Sequence, residues 1–182
     1  MTHRPYTPSG RPQPGEYAAF AESHMQLVVG DDAVSVLASL AHETLGLLAP
    51  LTDDAVAGIR YAPGKWNVKE VLGHINDTER IMCNRALRLS RNDKTPIEGY
   101  EQDDYVRFGP HAHVKLVDLV EEFTHIRRAT ISFVRQLDAE AWARRGVTNK
   151  YEISVRALAY VIAGHELHHR NILVERYFSV AA

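Results

Sequence analysis

Residues 154–177 read SVRALAYVIAGHELHHRNILVERY, and the spacing of their apolar positions decides the fold. With His165 set at zero on an ideal helix, Val161, Leu158, Ile172, His169, Ile162 and Leu173 fall within an arc from about −40° to about +80°. A single arc of this kind predicts one helix from about Ser154 to Tyr177 with one buried face. His165 and His169, four residues apart, lie inside the arc and point to the same side of the helix. His168 falls near about −60°, at the edge of the arc, where a rim position is expected.

Three more helical patterns lie upstream. The first spans about Asp32–Ala49 and carries Val36, Leu37, Leu40, Thr44, Leu47 and Leu48 on one side. The second opens at Asn67-Val68-Lys69-Glu70, which has the form of a capping box, and continues through Val71, Ile75, Ile81, Met82 and Leu89. The third spans about Val114–Leu137, with Leu116, Leu119, Val120, Phe123, Ile126, Thr130, Val134 and Leu137 on its inner stripe. Almost no segment alternates with period 2, so the expected architecture is all-α, an antiparallel four-helix bundle. Pro5, Pro8, Pro12 and Pro14 disfavour a helix at the start of the chain. Residues 1–30 are therefore expected to form an N-terminal arm and residues 31–182 the bundle domain. The connection from about Asn92 to Pro110 contains Pro96, Gly99, Gly109 and several acids, and is long enough to be functional.

Composition narrows the function. A chain of 182 residues is long enough for one domain with a sizeable core. The 21 basic and 23 acidic residues are interspersed and leave a formal charge of −2, which provides no electrostatic footprint for nucleic acid or an anionic membrane. Cys83, the single cysteine, has no partner for an internal disulfide, and no signal peptide or membrane span is evident, so the expected compartment is the cytoplasm. His3, His24, His42, His111, His113 and His125 sit among polar residues and read as solvated or satisfied by ordinary hydrogen bonds.

His74 is different. It lies beside the buried stripe of the second helix, with Thr78 and Arg85 nearby, and is the best candidate to join His165 and His169 in a three-histidine metal site. Burying such rings unpartnered would cost about 1–3 kcal/mol for each unsatisfied group. Two other motif readings fail. His165-Glu166-Leu167-His168-His169 matches the zinc-protease pattern, but only 13 residues follow it, with Ile172 and Glu175 at the positions where an extended motif needs glycine and histidine. Such an enzyme is also expected to offer a strand to its peptide, and none is evident. Glu166 and His169 resemble half of a di-iron pattern, but Gly73 stands three residues after Glu70, so the second helix does not complete it.

Five stretches together resemble the DinB-like superfamily, and within it the YfiT-like branch of metal-dependent hydrolases and bacillithiol-type thiol transferases. They are Pro14–Tyr17, Tyr61–Val71, Gly73–Arg80, Gly99–Val106 and Gly164–His169, in order and at fitting spacings over nearly the whole chain. The resemblance implies an antiparallel four-helix bundle. It also implies a divalent metal, often zinc or nickel, held by one histidine of the second helix and two of the fourth. These positions correspond to His74, His165 and His169, the set selected independently by helix facing. Relatives attach low-molecular-weight thiols to electrophiles, so a small thiol and an electrophile are the expected partners.

Three neutral imidazoles leave a divalent metal most of its charge and an open coordination position. A bound water then supplies hydroxide for hydrolysis, or a bound thiol supplies thiolate for transfer; the resemblance favours transfer. Arg85 is placed to pair a carboxylate. Gln102 and Asp103, with Asp104 and Tyr105, are candidates to cover the bundle mouth, act as a general base or orient a ligand histidine. Asp77 and Glu166 are further candidates for orienting ligands, and Trp66 and Tyr61 for anchors or pocket walls. Cys83 lies about 180° from His74 and reads as a packing residue. The rival reading is a non-catalytic metal-binding bundle in a stress response, and a homodimer through helix faces is compatible with either.

Overall fold

A computed structural model describes residues 6–56 and 58–179. In chain order the elements are α1 (Glu22–Leu27), α2 (Ala33–Leu48), α3 (Asp53–Val56), α4 (Val68–Ser90), α5 (Gln102–Phe108), α6 (Leu116–Val134), α7 (Ala139–Ala143), β1 (Arg145–Thr148), β2 (Tyr151–Ser154) and α8 (Val155–Ile172). A turn of 3-10 helix at Ala19–Ala21 precedes α1, and a wider π-type helix continues α8 through Leu173–Phe178. The four long helices are those expected from periodicity. Their starts follow from local chemistry: Asp32 accepts from Ser35 N, Ser154 accepts from Ala157 N, and Asn67 and Glu70 form both bonds of a capping box. No side chain at Lys115 caps α6; instead the Asp53 carboxylate of α3 accepts from Leu116 N at 3.1 Å.

The long helices form a ring in which α4 packs on α8 and α6, and α2 packs on the same two partners. Consecutive long helices α2 and α4 therefore lie across a diagonal. Two apolar clusters fill the interior. One contains Leu37, Leu89, Val134 and Leu158, and the other contains Leu48, Leu72, Phe123 and Leu173. The order in which each helix visits them fixes its direction: α2 and α8 run from the first cluster to the second, α4 and α6 from the second to the first. Antiparallel packing thus joins α4 with α8 and α2 with α6, in an up-down-down-up order. Because α4 and α6 run the same way, the chain must return along the bundle between them. That is the physical reason for the long connection after Asn92, in which α5 forms and packs against α4.

A polar layer separates the clusters and takes one residue from each long helix. Arg127 of α6 donates to Glu79 of α4 and to Glu166 of α8, both at 2.7 Å, and Thr44 of α2 donates to Glu166 at 2.6 Å. All four are buried. Arg127, facing two carboxylates, is held more firmly protonated than a free arginine, while burial keeps Glu166 above the usual carboxylate range.

Two expectations are corrected. The absence of strands does not hold: β1 and β2 form an antiparallel hairpin, pairing Arg145 with Ser154 and Thr148 with Tyr151. Four-residue strands are too short to register as alternation. Their turn is made by Asn149 and Lys150, both at positive φ, as a two-residue hairpin loop requires. The N-terminal arm expected over residues 1–30 also contains a short helix, α1, which packs on α8; the prolines that forbid helix end at Pro14. Arg11 fastens the arm to this helix by donating to Met25 O and Val28 O, each at 2.7 Å. Among the described residues, no helix is long and apolar enough to cross a membrane.

Candidate metal centre

The capping box at Asn67 fixes where α4 begins, and His74 follows within the next two turns. Ser154 fixes the start of α8, three turns before His165. Antiparallel packing then brings the C-terminal half of α8 beside the N-terminal third of α4. His74, His165 and His169 converge there, each offering a ring nitrogen within 4.8 Å of the others. His74 Nε2 and His165 Nε2 are 2.9 Å apart. Bonds of about 2.0 Å in a four-coordinate zinc site imply ligand separations of roughly 3.3 Å, which lies inside the observed spread.

The donor chemistry also suits a cation. Burial pushes His74 down to about 4 and His169 down to about 3, and holds His165 well below its ordinary value, where neighbouring imidazoles lower it further. All three rings are therefore neutral at pH 7, the form that coordinates metal. His74 Nδ1 is buried without a partner among the described groups. The three imidazoles fit a divalent ion; their nitrogens otherwise face one another with too few protons to satisfy them all.

Trp66 forms one wall, its ring centroid 4.8 Å from that of His74 and 6.3 Å from that of His169. It is held by Tyr177, whose hydroxyl donates to Trp66 O at 2.7 Å, so the extension beyond α8 braces the site. His24 lies on the opposite flank. Its ring centroid is 6.1 Å from that of His165 and 5.4 Å from that of exposed His168. This approach depends on Gly164, where a Cβ would come within 2.3 Å of His24 O. His24 read as an ordinary polar histidine because nothing local in the sequence reveals a contact spanning from α1 to α8. The glycine in the His165 motif was the available signal, without an address for its partner.

Other expected residues divide. Gln102 and Asp103 line a cavity of about 480 Å³ that reaches His169, with Tyr61, Lys65 and Trp66 on its walls. Gln102 also borders a second cavity of about 230 Å³ that reaches His165 and includes Arg85. Asp104 and Tyr105 line a different space, together with Asp77 and His111. Asp77 does not orient His74: it accepts from His111 Nε2 at 3.0 Å, an arrangement permitted by Gly73, where a Cβ would collide with the His111 ring. Glu166 belongs to the buried layer with Arg127 rather than to the metal site. The Glu166 carboxylate is thus excluded from the general-base role of the zinc-protease motif. Cys83 faces α6 near Thr130, as its position on the helix predicts.

The fold is similar to that of YfiT from Bacillus subtilis, described as a probable metal-dependent hydrolase with an unusual four-helix bundle topology. The two superpose with a TM-score of 0.66 at 19% identity, over 79% of this chain and 85% of that one. No curated protein matches the chain by sequence. The model of the DinB superfamily matches residues 37–173, a range that includes all four long helices except the start of α2 and all three converging histidines. The chain accordingly belongs to the DinB superfamily.

Proposed function

We propose that this protein is a metal-dependent enzyme that activates a low-molecular-weight thiol for transfer to an electrophile. The observation that carries the reading is the convergence of three neutral imidazoles between two separate cavities, one reaching His169 and the other His165. A divalent cation bound by His74, His165 and His169, with zinc or nickel the expected identities, would supply a thiolate or hydroxide nucleophile at neutral pH. Two cavities suit two reactants, whereas hydrolysis needs room for one substrate and a water. In this reading, Trp66 and Tyr61 wall the thiol subsite, and Asp103 at its mouth is the base that accepts the thiol proton. Gln102, bordering both cavities, orients the reacting groups.

The reading is tested with metal-loaded protein, a bimane-type electrophile and a series of small thiols. It predicts conjugation that requires both metal and thiol, falls at least about 100-fold in His169→Ala, and falls more modestly in Asp103→Asn. Metal-dependent turnover of an activated ester with no dependence on thiol would replace it with hydrolysis, the activity suggested by the description of YfiT. A metal-loaded protein inactive in both assays would favour the non-catalytic bundle.

A further inference from the structure

We propose that the cavity beside His165 binds a small carboxylate with an apolar body, and that Arg85 is its counter-ion. That this ligand serves as the acceptor in thiol transfer rests on the reading above; the binding itself does not.

Arg85 is only 6% exposed, and its guanidinium remains charged throughout the ordinary pH range. Its contacts are all uncharged: Nη2 donates to Glu98 O at 3.0 Å, Nη1 approaches Met82 Sδ at 3.6 Å, and Cζ lies 5.9 Å from the Tyr100 ring centroid. Nε is buried without a hydrogen-bond partner among the described residues. Among the described residues, no carboxylate pairs with this guanidinium. The other deeply buried arginine, Arg127, shows the contrast, since two carboxylates compensate it. Taking a cation out of water without a counter-ion carries a large desolvation cost, and burial lowers the Arg85 pKa accordingly. A ligand anion would offset that cost.

The cavity supplies the rest of the specificity. Most of the surface it exposes is apolar, from side chains that include Phe20, Met82, Leu158 and Val161, while His24, Thr78, Gln102 and Asn149 add uncharged polar groups to the lining. Phe20 is 63% exposed, an unusual position for so large an apolar ring, and stands edge-on to Tyr151 with centroids 5.1 Å apart. Glu152 is the acid on the lining, and it pairs with Arg145 at 3.0 Å rather than with Arg85. A volume of about 230 Å³ admits a small ligand. The chemistry called for is a carboxylate at the Arg85 end and an aryl or branched alkyl body between Phe20 and Leu158.

The experiment measures binding of phenylacetate and its neutral isostere phenylacetamide by calorimetry or ligand-observed NMR, using chelator-treated and metal-loaded full-length protein. The expected result is that phenylacetate binds both forms and phenylacetamide binds at least about tenfold more weakly. Arg85→Met should lose that preference, Arg85→Lys should retain part of it, and Phe20→Ala should weaken both ligands. Circular dichroism checks folding of each variant. If Arg85→Met does not fold, the acid–amide comparison on wild type and exposed-site Phe20→Ala still decide. Equal binding of acid and amide, retention of the preference in folded Arg85→Met, or binding seen only with metal present and abolished in His165→Ala would overturn the proposal. So would failure of wild type to bind the acid. A wild-type protein that takes up no metal but binds phenylacetate through Arg85 would refute the metal reading and leave this one standing.

Discussion

Glu166 sits between His165 and His169 in the chain, yet it points away from both and into the layer shared with Arg127, Glu79 and Thr44. On a helix the neighbour of a ligand is turned by about 100°, so adjacency in sequence says little about adjacency in the site. Arg127→Met would leave two buried carboxylates without their cation. The loss expected is about 3–5 kcal/mol, measured by denaturant unfolding; a change under about 1 kcal/mol would show that the layer contributes little. The three converging histidines were legible at this scale because each lies on or beside an apolar arc, where an imidazole needs a reason to be. The partners of Asp77, Glu166 and Arg85 were not. Which acid meets which base depends on helix rotation and long-range packing that residue type does not encode.

The long helices were readable as elements because many apolar positions repeat and because α2, α4 and α8 carry local caps; α6, met at its start by the distant Asp53, was readable from its apolar stripe alone. The hairpin escaped because each strand has four residues, and α1 escaped because it has only six residues, too few for a periodic stripe, and follows a Pro-rich stretch that ends at Pro14. Gly164 connects two elements directly. A methyl group there would meet the backbone carbonyl oxygen of His24 at 2.3 Å, an atom that cannot swing aside as a flexible side chain can, so α1 would have to move off α8. Gly164→Ala gains helix propensity but should lose about 1–3 kcal/mol of stability net, the usual range for overpacking. Increased hydrogen exchange should be confined to α1 and the facing turns of α8. Unchanged stability with unchanged exchange would contradict the close approach.

At the scale of the whole molecule, the order of helices explains why histidines 91 residues apart meet: α4 and α8 are neighbours and antiparallel, so the early turns of one face the late turns of the other. The family resemblance pointed to this bundle, but the up-down-down-up order follows only from which cluster each helix end enters. The same burial has a consequence for pH. His74 and His169 have folded pKa values of about 4 and about 3, against an ordinary value of 6.5, and His165 is also lowered. Between 6.5 and about 4 the unfolded chain binds more protons at these sites than the folded one, so stability rises with pH through this window. Each such group contributes up to about 1.4 kcal/mol per pH unit. Glu166, raised by burial, acts in the opposite sense near and above its ordinary value. The prediction is that chelator-treated wild type loses stability as pH falls from 6.5 toward 4, and that His74→Leu loses less. Equal slopes would mean that His74 is not buried in its neutral form.

Whether His74, His165 and His169 hold one divalent ion is decided by elemental analysis of untagged protein purified without chelators, comparing wild type with His74→Ala, His165→Ala and His169→Ala, and with His168→Ala as the control. About one metal per chain is expected in wild type and His168→Ala, and loss from the other three. Metal absent from wild type under these conditions, or retained in those three variants, would contradict the three-histidine site.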